Sequence, residues 1–187
     1  MVLAEKYGEL PLRLLLVGHN PSEHSWVSGH YFSQPSNNFW KLITESGILE
    51  QDVNANDDEM LEKMQIGFTD VIRMPNSESN AITRRVFIEQ RAFFYNRITD
   101  NAHRVGGAPE RIAFVGKRQF SMLFDPPLKR VELGLQDVRP PRFPLDSEIW
   151  VLSTPSGRSP MKWEERVKPY KELALTMQCA SSTSNIE

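Results

Sequence analysis

Four short runs of mostly apolar residues stand out along this chain: Leu14-Leu15-Leu16-Val17, Ile66-Gly67-Phe68-Thr69, Arg111-Ile112-Ala113-Phe114-Val115-Gly116 and Ile149-Trp150-Val151-Leu152. Each is the length of a buried strand and too short for a helix. Helical spacing fills the gaps between them. Pro35 suits the first turn of a helix through Phe39-Trp40-Lys41-Leu42-Ile43, and Gly47 suits its end. Asp57 to Lys63 reads as a short helix with acids near its positive end. The longest helix runs from Thr83 to about Ala102, with Val86, Phe87, Phe93, Phe94 and Ile98 at helical spacing. A helix through Phe120 to Phe124 and a closing helix from Trp163 to Met177 complete the pattern. The proline-rich stretch from Asp125 to Pro144 reads as irregular or edge structure.

Buried strands alternating with helices predict an α/β protein, with a mostly parallel sheet covered on both faces. With 187 residues the chain is most simply one domain, expected over 1–177, followed by a polar tail over 178–187 that frays around Ser181 to Asn185. No apolar run approaches bilayer length, and the amino end lacks the layout of a signal peptide. An intracellular, membrane-free protein is the expectation, with nucleus and cytoplasm both open and a monomer as the default state. Cys179 is the only cysteine, which excludes an intramolecular disulfide, a cysteine-ligated iron–sulfur cluster and a cysteine-rich zinc site.

The formal net charge of −2 argues against a protein held to nucleic acid by bulk positive charge. Arg84-Arg85, Lys117-Arg118, Lys129-Arg130 and the arginines at 139 and 142 read first as solvated faces. Any nucleic-acid contact must be local, through backbone amides and small hydroxyl side chains.

The candidate chemistry begins where the first strand stops, at Gly18-His19-Asn20-Pro21-Ser22. A turn there leaves Asn20 at the carboxyl edge of the sheet, where open α/β sheets bind ligands. Asn20 could equally cap the turn. Beyond it comes Gly29-His30-Tyr31-Phe32-Ser33-Gln34-Pro35-Ser36-Asn37-Asn38-Phe39-Trp40. These two blocks, with Ile66 to Arg73, Ala113 to Lys117 and Leu152 to Ser159, resemble the mismatch-specific uracil/thymine-DNA glycosylases of the uracil-DNA glycosylase superfamily. The family pattern is Gly-x-Asn-Pro, then glycine and an aromatic residue, then Pro-x-Asn-x-Phe-Trp. The likeness runs in order from about Leu12 to Leu173.

That resemblance implies a three-layer α/β/α sandwich and a monofunctional DNA glycosylase of base excision repair. It would act on double-stranded DNA carrying a damaged or mismatched base, using water and neither metal nor cofactor. Asn20 would orient the water, and its weak basicity implies slow chemistry. Phe32 would stack on the flipped base, and backbone amides around His19 and Phe32 would donate to the departing base oxygen. Gly18, Ser25, Tyr31, Asn37 and Asp70 fall around the same pocket. Ser25 lies at the edge that bears the thymine methyl, and Asn37 reads as a brace for the loop. Gly157 and Arg158 match the loop that fills the gap left by the nucleotide, with Thr154, Pro155, Ser156 and Ser159 beside the phosphates. For these hydroxyl residues ordinary turn chemistry is a close rival.

Three departures from the family pattern matter. His19 replaces an aliphatic residue, either as an imidazolium that favours an anionic leaving base or as a neutral ring packed in a loop. Asp70 stands where relatives carry asparagine or lysine; it could accept the imide N–H of uracil, but as a carboxylate it would repel the departing anion, and it could also be a cap. Gln90-Arg91 replaces a glycine pair and affects packing. The expected reaction is removal of uracil, with thymine or modified bases in reserve. The rival readings are a non-catalytic binder of mismatched duplex and a hydrolase of free nucleosides or nucleotides.

Overall fold

The computed structural model describes residues 3–76 and 82–183. Five strands form one sheet in the order β2-β1-β3-β5-β4: β1 Leu14–Gly18, β2 Ile66–Asp70, β3 Arg111–Val115, β4 Gly134–Leu135 and β5 Glu148–Leu152. The first three pairings are parallel, and only the two-residue β4 runs antiparallel, along one edge. The opposite edge, β2, is closed in part by Lys6, which exchanges backbone hydrogen bonds with Phe68 at 2.9 and 2.8 Å. Two short ends therefore protect the sheet from edge pairing.

Side chains alternate across the strands, so one strand serves two cores. Leu14 and Leu16 of β1 join Phe68, Val115, Trp150 and Leu152 under one layer of helices: α2 Phe39–Ser46, α3 Asp58–Lys63 and α6 Trp163–Thr183. Leu15 and Val17 turn to the other face. There they join Ile112, Phe114 and Val151 beneath α4 Arg84–Val105 and α5 Lys117–Ser121. The result is the expected helix–sheet–helix sandwich.

Several boundaries differ from the sequence expectation for local reasons. The helix predicted from Pro35 begins at Phe39, because residues 34–38 form a turn and pair with a distant loop: Asn37 bridges Ser156, and Asn38 N–H donates to the Pro155 carbonyl at 2.9 Å. The helix predicted at Phe120 to Phe124 starts earlier, at Lys117, and ends at Ser121. The closing helix continues to Thr183, past its predicted end at Met177. The rest of the predicted tail, 184–187, lies outside the described residues. A further helix, α1 Glu23–Ser28, has no apolar stripe to announce it. Ser22 accepts from Ser25 N–H at its start, and Gly29 ends it in the left-handed conformation.

Candidate active site

At the carboxyl ends of the parallel strands lies a cleft of about 1180 Å³, lined by His19, Asn20, Phe32, Asp70, Gln119 and Arg158 among others. Because β1, β2, β3 and β5 run parallel, their carboxyl ends all open on this same edge.

Asn20 is held through its nitrogen. Its Nδ2 lies 3.1 Å from the Pro21 carbonyl, 3.2 Å from Met74 and 2.9 Å from Asn76, all acceptors. That surround fixes the amide orientation and leaves Oδ1 as the exposed function. Oδ1 lies 2.7 Å from His19 Nδ1, so Nδ1 carries the proton and donates. Burial lowers the His19 pKa to about 4, against the partly offsetting hydrogen bond to Asn20. Its Nε2 is enclosed without a hydrogen-bond partner among the described residues, and the ring meets Phe87 edge-on at 4.9 Å. Of the two readings of His19, these surroundings favour the neutral packed ring, which orients the Asn20 oxygen.

Phe32 takes a left-handed backbone, φ 53°, which a bulky residue adopts only when its neighbours enforce it. The enforcement is visible on either side. Tyr31 N–H donates to Asp58 Oδ2 at 2.9 Å, Trp40 Nε1–H donates to the Tyr31 carbonyl at 3.0 Å, and Ser33 N–H donates to Ser25 Oγ at 3.3 Å. One face of the Phe32 ring stacks on Phe39 at 4.0 Å and 22°. The ring is half-buried and also lines the cleft. Tyr31 itself is buried, stacked on Phe68 at 5.4 Å, and its hydroxyl accepts from Arg73 at 2.8 Å. It forms the back of the cleft rather than an open wall. Ser25 is buried beneath the same rim, its hydroxyl engaged with Ser22, Ser33 and the Ser33 amide. Asn37 Oδ1 accepts from Phe39 N–H at 2.8 Å and so starts α2 while bracing the loop.

Gly18 pairs with Asp70 across the sheet, which brings the Asp70 carboxylate over the Gly18 backbone. A Cβ at position 18 would sit 2.1 Å from Asp70 Oδ1 and 3.5 Å from the tip of Phe32, so only glycine admits that carboxylate. Asp70 is fully buried, and burial raises its pKa to about 7, although Arg73 and Arg97 pull it down.

The loop from Ser153 to Ser159 forms the opposite rim. Arg166 holds it from α6, donating to the Thr154 and Ser156 carbonyls at 3.1 Å each, while Tyr170 O–H donates to the Ser153 carbonyl at 2.8 Å. Thr154, Ser156 and Ser159 each accept from an amide two residues on, at 3.4, 3.2 and 3.4 Å. Each hydroxyl proton stays available to an outside acceptor, so turn chemistry and phosphate contact are compatible. Gly157 packs on the 34–38 turn, where a Cβ would come within 2.5 Å of the Ser36 carbonyl. Pro155 is buried and Arg158 is exposed at the rim, whereas Ser159 lies outside the cleft lining.

Sequence reasoning missed three contributors. Asp58, wholly buried, accepts from Tyr31 N–H and His30 Nδ1, both at 2.9 Å, with Lys6 at 4.0 Å. Arg73 ties Tyr31 to the amino-terminal segment through the Leu3 carbonyl. Gln119 is buried beside Gly116, with its amide nitrogen unpartnered among the described residues. Only a charged residue inside a helix start hinted at Asp58, and nothing local hinted at the other two. Among the described residues no three His, Cys, Asp or Glu side chains converge as a metal site, and no helix is long and apolar enough to cross a membrane. The model of one protein family, described as Uracil DNA glycosylase superfamily, matches residues 5–176.

Proposed function

The chain belongs to the uracil DNA glycosylase superfamily, and on that premise we propose that it removes uracil from mismatched duplex DNA by flipping the nucleotide into this cleft. The class of activity follows from the family: a glycosylase, hydrolysing the bond between base and deoxyribose in DNA. The finer reading rests on chemistry. The C1′–N1 bond breaks with its electron pair passing to the base, a water adds to C1′, and the proton that this water sheds passes through solvent, which returns one to the departed base. Asn20 Oδ1 accepts a hydrogen bond from that water and orients it, while Phe32 covers one face of the base. The backbone amides of His19 and Phe32 donate to the base oxygen that gathers charge. Arg158 enters the duplex from the opposite rim, and the hydroxyls of Thr154 and Ser156 meet the flanking phosphates.

The observation that carries this reading is the Asn20 amide, tethered by its nitrogen to three carbonyls so that its oxygen stands fixed in a cleft walled by an aromatic ring. A carboxamide orients water but takes a proton poorly, so turnover is expected to be slow. A panel of duplexes, each with one altered base opposite guanine or adenine, assayed for abasic-site formation alongside single strands, tests it. Release of uracil from the guanine mismatch is the expected result. Duplex binding without base release from any member of the panel would make the protein a binding module instead.

A further inference from the structure

Among the described residues, Asp70 is the one acidic side chain in the cleft that is both wholly buried and short of hydrogen bonds. Its Oδ2 has no hydrogen-bond partner among the described residues. Arg73 Nη1 stands 3.6 Å from it, too far for a direct bond, and Arg73 is already spent on the Tyr31 hydroxyl and the Leu3 carbonyl. Oδ1 hangs over Gly18 beside the tip of Phe32, at the place where the base would lie. A buried carboxylate normally collects two or three donors, and among the described residues no side chain donates a direct hydrogen bond to Oδ2. Either a proton or a ligand must satisfy it.

We propose that Asp70 meets the flipped base as a neutral carboxylic acid, its carbonyl accepting the imide N–H of the pyrimidine and its hydroxyl donating to the adjacent ring carbonyl. This rests on the base-releasing function above and names the group that reads the base edge. The ionised form would set a negative charge against the carbonyl lone pairs and against the anion that forms as the C1′–N1 electron pair enters the ring. The neutral form offers one donor and one acceptor in the order the lactam edge requires. Its hydrogen bond strengthens as charge reaches the carbonyl, and no proton has to leave Asp70. The surrounding charges are mixed: Arg73 follows β2, Arg97 reaches from α4, Glu5 comes from the amino-terminal segment, and β1 presents only Gly18. Burial outweighs the two arginines and Glu5 reinforces it, so the acid titrates near neutrality, at about 7.

The test is the pH profile of single-turnover uracil release from a guanine mismatch. In the wild type the rate falls by up to about tenfold per pH unit above neutrality as the acid ionises. D70N keeps a donor and an acceptor but cannot titrate, so it releases uracil at pH 6 and loses that alkaline fall. An unchanged fall in D70N, with activity retained, overturns this proposal alone; no release by the wild type at any pH overturns the proposed function and this inference with it. A carbon NMR titration of the Asp70 carboxyl in the wild type stands independently of the variant's folding. A midpoint near neutrality is expected, and a carboxylate already ionised at pH 5 refutes the proposal.

Discussion

Replacing Asp58 by alanine separates the geometry of the cleft from its chemistry, because Asp58 does not line the cleft. Its carboxylate, wholly buried, accepts from the Tyr31 amide and from His30 at 2.9 Å each, and Lys6 lies at 4.0 Å. Breaking a buried charged network of this kind costs about 3–5 kcal/mol. The lower end applies here, since Lys6 keeps Glu59 at 3.2 Å and His30 is partly open to solvent. The effect on the site comes one residue further along. With the Tyr31 amide released, the left-handed Phe32, which stores roughly 1–3 kcal/mol of backbone strain, can relax away from Gly18. The loss of its stack on the base, worth about 1–3 kcal/mol, would slow single-turnover base release by about 5- to 150-fold. D58N keeps an oxygen for the Tyr31 amide and should recover most of the rate. In an F32A background D58A should add little further slowing, since the two act through one ring. If D58A unfolds more easily but releases base at the wild-type rate, the Phe39 stack and the Trp40 and Ser25 hydrogen bonds suffice to position Phe32 and the Asp58 clamp has no part in function.

Two further outcomes follow from the same geometry. His19 is protonated in the unfolded chain below its ordinary value of 6.5 but resists protonation in the fold until about 4. Its contribution is therefore present above pH 6.5 and lost as pH falls, by up to about 3 kcal/mol. Denaturant titrations of the wild type and H19Q should diverge between pH 6.5 and 4, and parallel curves would mean that the imidazole is not held neutral. R158A changes an exposed side chain, so stability should stay within about 0.5 kcal/mol of wild type. Its base release from duplex should fall about tenfold, ~1.4 kcal/mol, while release from single strands is spared. Equal loss on both substrates would remove Arg158 from the duplex.

The four parallel strands could be read from the chain because each is a mostly apolar run with a turn signal at its end, whereas the two-residue β4 carries no such run. Leu14 to Val17 and Ile149 to Leu152 are the clearest cases, and the parallel sheet places both ends on the cleft edge. Asn20, Phe32 and the Ser153 to Ser159 loop were legible as residues of a recurring pattern. Their support was not. Asp58 meets Tyr31 across 27 residues and Arg73 meets Leu3 across 70, and no local periodicity encodes such pairings. The helix start at Phe39 was misplaced for the same reason: Pro35 suits a first turn, but the Asn37 bridge to Ser156 claims that backbone first. The states of His19 and Asp70 depend on enclosure, which only the assembled fold supplies.

The most direct measurement is uracil release and duplex affinity in N20A, taken side by side on one guanine-mismatched duplex. Alanine removes the oxygen offered to water and leaves the Phe32 face and the 153–159 rim untouched, so release should drop at least about a hundredfold while the dissociation constant moves by less than about threefold. Base release that persists in N20A near the wild-type rate would contradict the role given to Asn20.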